Sequence, residues 1–122
     1  MPSEKQIQDT FERIANDIPG FIAASLVDLE SGMTLGARSA RGDFDLTAAS
    51  AYNSEMVKQK LKIMKALNLN TTLEDMLLTL GDQIHLIKVV TPGTFVYLAA
   101  DRSLSNLAII RNAVNRHAPG LA

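Results

Sequence analysis

Apolar residues recur with helical spacing at Ile7, Phe11, Ile14 and Ile18, which sets one stripe along a helix of about four turns. Ser3 followed by Gln6 fits a capping box, in which each side chain satisfies an open amide of the first turn. Asp17, Pro19 and Gly20 end the helix, since proline cannot extend the ladder. The segment 21–29 is apolar on both faces until Asp28 and predicts a strand central in its sheet. Glu30, Ser31 and Gly32 predict a turn. Residues 33–37 then predict a shorter returning strand, suited by Gly36 to an edge, followed by a polar loop over 38–42. A long helix covers about 45–67, capped by Asp43 or Asp45, with Lys58, Lys60, Lys62 and Lys65 near its negative end. Strands are predicted at 72–80, 83–90 and 95–100. Gly81-Asp82 separates the first two, and a Pro92-Gly93 turn of type II, with the glycine at positive φ, separates the others. A last helix starts near Ser103, with Leu104, Leu107, Ile110 and Val114 as its stripe. The order αββαβββα over residues 1–122 predicts one α+β domain, a five-stranded, mostly antiparallel sheet with helices on both faces.

Two elements carry more apolar surface than a lone domain needs. On the long helix, Leu46, Ala49, Val57, Leu61 and Met64 line one side, and Ala48, Tyr52, Met56 and Ile63 line an adjoining one. Together they span about 200°, against the roughly 100° that packing on one surface requires. Thr47, Ser54, Lys58, Lys62 and Lys65 fill the polar arc, while Asn53, Gln59 and Lys60 interrupt the apolar one as an interface tolerates. In strand 72–80, Leu73 and Leu77 are predicted on one face and Met76, Leu78 and Leu80 on the other. An apolar edge strand left open invites pairing, and pairing with its own copy is symmetric. Both features predict a twofold homodimer.

Composition narrows the chemistry. The chain has no cysteine, which removes disulfides, thiolate catalysis and cysteine zinc sites. Twelve basic against thirteen acidic residues argue against a dedicated nucleic-acid binder. A hydrophobic fraction of 47% excludes disorder. No apolar run approaches the ~18 residues of a membrane span, and the N-terminus lacks the apolar core of a signal peptide, so the expected location is cytoplasmic, without membrane insertion. His85 in a strand and His117 at a helix end have no ligand-spaced partner. The glycines form no phosphate-binding loop, and the serines no nucleophile elbow. Adjacent strand residues Glu74 and Asp75 point to opposite faces and form no acid/base pair; they blunt an exposed strand. No catalytic constellation, cofactor motif or metal site is expected, and the reading is non-enzymatic. The small residues Ala23, Ala24, Ser25, Ala99 and Ala100 leave either close helix packing or space for a ligand.

The stretches FIAASLVDLESGMTLG and FVYLAADRSLSNLAIIRNAV, with the long helix between them, resemble the roadblock family of dynein light-chain type domains. The resemblance covers nearly the whole chain. It implies a profilin-like sheet of order 2-1-5-4-3, with strand 72–80 at an edge, and a ten-stranded sheet across a homodimer whose long helices lie side by side. It also implies a scaffold or regulator of small Ras-like GTPases. Alternatives are a pure scaffold or motor-complex subunit and, from the profilin-like architecture, a small-molecule sensor. By position, the dimer or partner surface comprises Tyr52, Met56, Gln59, Lys60 and Ile63 of the helix with Leu73, Asp75, Met76, Leu77 and Leu78 of the edge strand. Arg38 and Arg41 are the candidates for an arginine supplied to a GTPase.

Overall fold

The computed structural model describes residues 2–122. Helix α1 spans Glu4–Asp17, and strands β1 (Phe21–Asp28) and β2 (Thr34–Ser39) follow. Helix α2 (Leu46–Ala66) leads to strands β3 (Asp75–Thr79), β4 (Gln83–Thr91) and β5 (Thr94–Asp101). Helix α3 (Leu107–His117) and a short 3-10 turn, Ala118–Leu121, close the chain. The sheet order is β2-β1-β5-β4-β3 and every pairing is antiparallel, so β1 and β5 are interior while β2 and β3 are edges.

Local chemistry accounts for the element ends. The Ser3 hydroxyl oxygen accepts the Gln6 amide at 3.1 Å, and Gln6 Oε1 accepts the Ser3 amide at 2.7 Å, which completes the capping box. Asp45 caps α2 by accepting the Ala48 amide at 3.0 Å. At the other end, Asn68 adopts φ 56°, and the Leu69 amide donates to the Met64 carbonyl at 3.0 Å, a Schellman-type closure.

Several boundaries differ from the sequence reading. Strand β2 continues through Arg38 and Ser39, which were expected in a loop, because β1 offers them partners in Ala24 and Ala23. Its Gly36 answers to close packing: a methyl group there would overlap Ile7 of α1. Helix α3 begins at Leu107, capped by Asn106 Oδ1 on the Ile109 amide at 3.0 Å. Residues 103–105 turn on Asp101, whose Oδ1 accepts the Ser103 amide and hydroxyl at 2.8 and 2.6 Å, and Leu104 is left exposed. The β4–β5 turn is not type II, since Gly93 is not at positive φ. Thr91 and Thr94 pair as the last rung with hydroxyls 2.7 Å apart, and the Gly93 amide donates to the Thr91 hydroxyl at 3.2 Å.

The sheet separates two cores. Helices α1 and α3 cover one face with Phe11, Ile14, Ile110 and Val114 over Leu26, Leu86 and Leu98. Helix α2 alone serves the other face, where Val57 meets Val27, Ile87, Phe95 and Tyr97. Ser50 and Ser54 are fully buried in that contact, although Ser54 was placed in the polar arc. The Ser54 hydroxyl donates back to the Ala51 carbonyl at 2.7 Å, and Ser50 lies 3.0 Å from the Ser25 hydroxyl and accepts from Thr34 at 2.9 Å. Hydroxyls satisfied in this way cost little to bury and let the helix approach the sheet closely.

Candidate interaction surface

With Ser50, Ser54, Val57 and Met64 buried, α2 turns a second side to solvent. Tyr52 is 77% exposed and Ile63 40% exposed; Gln59 and Lys60 are exposed beside them, and Met56 is half-buried. Leu67, one turn after Ile63, is 63% exposed and extends the same stripe. Tyr52, Met56, Gln59, Lys60 and Ile63 are therefore brought together on one helix side. Met56 differs in also packing against the sheet-side core.

The sheet completes the surface. Helix α2 packs over β1 and β2, and its Val57 reaches Ile87 of β4, which is fully buried. Met76 and Leu78 of β3 point to the same face on the outer half-sheet, half-buried and paired with Ile87 and His85 of β4. Leu77 points to the α1/α3 core. Leu73 lies before β3 and packs on the α2 side, opposite to the face expected, because pairing starts only at Asp75. Asp75 faces α3, where both carboxylate oxygens accept from Arg111, each at 3.0 Å. Such a bidentate pair fixes the start of the edge strand. Glu74 precedes the strand, and its carbonyl accepts the Val89 amide at 3.0 Å.

The two edges are unlike. Edge β2 is polar at its end, and the Gln8 side chain donates to the Ala37 carbonyl at 3.1 Å. Edge β3 reads Asp-Met-Leu-Leu-Thr, and among the described residues no side chain hydrogen-bonds its backbone. The molecule therefore carries an exposed apolar flank on α2 and, on the α2 side of the sheet, an apolar edge strand whose Met76 and Leu78 are half-buried.

His85 borders this half-sheet. Its Nε2 is 2.8 Å from Gln83 Oε1 and its Nδ1 is 3.2 Å from the Tyr97 hydroxyl, with the Tyr97 ring edge-on at 5.3 Å. Burial lowers the His85 pKa below 6.5, opposed by Asp82, and burial pushes Tyr97 up to about 12. His117 Nε2 is 2.8 Å from Asp17, a contact between α3 and α1. Arg41 sits 3.5 Å from Asp43 in an ion pair, and Arg38 is exposed on β2. Among the described residues no group of three acidic or histidine side chains is placed to hold a metal ion, and no helix is long and apolar enough to cross a membrane. The small residues of β1 and β5 are fully buried. An apolar cavity of about 490 Å³ lies between α2 and the β4–β5 turn, lined by Leu29, Leu61, Met64, Leu73, Val89 and Phe95.

Solved structures share this fold. Myxococcus xanthus MglB superposes with a TM-score of 0.87 at 15% identity, over 99% of this chain and 90% of that one. The fold is the roadblock fold. The gliding protein MglB of Thermus thermophilus gives 0.84 at 14% identity, covering 100% of this chain and 95% of that one. A Roadblock/LC7 domain from Streptomyces avermitilis gives 0.80 at 11% identity, covering 99% and 95%. No protein-family model matches the sequence, and no curated protein matches it. The likeness thus resides in the roadblock architecture, at identities where side chains have diverged. The sheet order is the one the resemblance implied, and the αββαβββα element order is the one the apolar pattern predicted.

Sequence reasoning missed Leu67 and the Asp75–Arg111 clamp. Leu67 was available from its position four residues after Ile63. The clamp joins residues 36 apart and leaves no periodic signal.

Proposed function

We propose that this chain is a homodimeric, non-enzymatic cytoplasmic adaptor whose α2/β3 face binds a small Ras-like GTPase and modulates its nucleotide hydrolysis. The observation that carries the reading is the pair of unpartnered apolar features, the exposed α2 flank with Tyr52 and Ile63 and the β3 edge strand with Met76 and Leu78. A second copy satisfies the β3 amides by strand pairing and covers the apolar side chains that an isolated chain leaves partly to water. The roadblock resemblance supports the choice of a Ras-like partner. The reading assigns modulation to reordering of the GTPase's own switch segments; exposed Arg38 and Arg41, the latter in a solvent-exposed ion pair with Asp43, are the residues that would supply an inserted arginine instead.

The test is GTP hydrolysis and binding by a Ras-like GTPase from the same genome, with and without this protein. Binding to the GTP-loaded form with altered turnover, both lost in Ile63→Asp, is expected. Binding without any change in turnover assigns a pure scaffold, and no binding to either nucleotide state overturns the GTPase assignment. The 490 Å³ apolar cavity favours the sensor alternative only if a small molecule raises the melting temperature.

A further inference from the structure

The lysine-rich end of α2 lies largely outside the face described above, to which it lends Gln59, Lys60, Ile63 and Leu67. Residues 57–70 contain Lys58, Lys60, Lys62 and Lys65 and no acidic residue, whereas the rest of the chain sets eight basic against thirteen acidic residues. The molecule is therefore polarised, with its positive pole at one helix end. Lys58 is engaged, donating to the Glu30 carbonyl at 2.8 Å and to Glu55 at 3.3 Å. Lys60, Lys62 and Lys65 make no ion pair among the described residues. Lys62 and Lys65 lie on the side of the helix away from Tyr52 and Ile63.

Apolar side chains crowd the same end. Leu69 and Leu61 are 47% and 37% exposed on the lysine side, whereas Leu67 belongs to the Ile63 stripe. Lys65, Leu61 and Leu69 line one shallow hollow beside Asn68 and Asn70. The Schellman-type closure at Asn68 fixes Leu69 there, so the leucine tip is held in place.

We propose that this tip docks on an anionic phospholipid surface, with Lys62 and Lys65 at the headgroups and Leu61 and Leu69 dipping into the interface. Residue chemistry favours lipid over an acidic protein. Protein interfaces enrich arginine, deplete lysine and rarely use leucine as an anchor. Here all the cations are lysines and none of the six arginines of the chain is present, while four of its six lysines are. Hydrated, mobile ammonium groups around exposed leucines suit a fluid anionic surface, where no fixed geometry is demanded. The lysines also complement the helix end, but that effect gives no reason for leucines to stay exposed beside them. The contact is peripheral, with nothing crossing the bilayer, and it does not depend on the GTPase reading.

The experiment is co-sedimentation of the full chain with phosphatidylcholine vesicles, with and without about one-third phosphatidylserine, at low and high salt. Binding only to the serine-lipid vesicles, reversed by salt, is expected. At about fivefold per lysine near an anionic surface, Lys62→Gln with Lys65→Gln lowers affinity about 25-fold. Leu69→Ser weakens binding and leaves the remainder more salt-sensitive. Circular dichroism and molar mass of the same variants show whether fold and self-association are intact, so a failed dimer is told apart from a failed lipid site. Equal binding to both vesicle types, no binding to either, or wild-type affinity in the lysine variant overturns the proposal. So does salt-sensitive binding to poly-glutamate in the absence of vesicle binding, which assigns the tip to an acidic protein.

Discussion

His85 shows how much one side chain depends on its neighbours. Buried against Tyr97 and hydrogen-bonded to Gln83, it is held with a lowered pKa. The unfolded chain then binds the proton more readily, so stability is full above about pH 6.5 and is lost as pH falls below it toward the folded-state value. His85→Gln is expected to flatten the pH dependence of the melting temperature between about pH 7 and pH 5, measured by calorimetry. An unchanged slope places the titration elsewhere. Alternation in the strand located His85 on a sheet face, but no pattern announces that Tyr97, twelve residues later, closes over it. Ser54 failed in the opposite way. Counting it as polar sent it to solvent, whereas its hydroxyl is satisfied inside the helix and the residue behaves as a small core group.

At the scale of elements, α2 carries the argument because its two apolar sides have different fates. Val57 and Met64 bury on the sheet, and Tyr52 and Ile63 do not. Replacing Tyr52 or Ile63 by aspartate is expected to change monomer stability by less than about 0.5 kcal/mol, as at ordinary surface sites, while weakening self-association by tenfold or more. Chemical denaturation and dilution-dependent mass check the two halves of that statement, and a large loss of stability contradicts it. Met56 is a poorer probe because it also packs in the core. Long periodic elements were legible: the stripe Ile7, Phe11, Ile14 gave α1, and the alternation around Ile84 and Leu86 gave β4. Their ends were less so. The expected strand 72–80 shortens to Asp75–Thr79 because β4 supplies partners only over Ile84–Lys88, and α3 starts late because Asn106, not Ser103, caps it. Both outcomes are decided by residues distant from the boundary or by competing hydrogen bonds, which periodicity does not register.

Across the whole molecule, the sheet is covered unequally. Two helices serve one face and one helix, over β1 and β2, serves the other, where Met76 and Leu78 at the β3 edge are only half-buried. The excess apolar arc of α2 and the apolar strand at an edge were both visible in the sequence. Their placement relative to each other was not, since it depends on the sheet order. Self-association is the claim on which the adaptor reading rests. Molar mass by light scattering across a dilution series tests it most directly. The account predicts twice the 13.2 kDa of the chain, falling toward one chain mass in Ile63→Asp. A constant single-chain mass for the wild type at every concentration contradicts it.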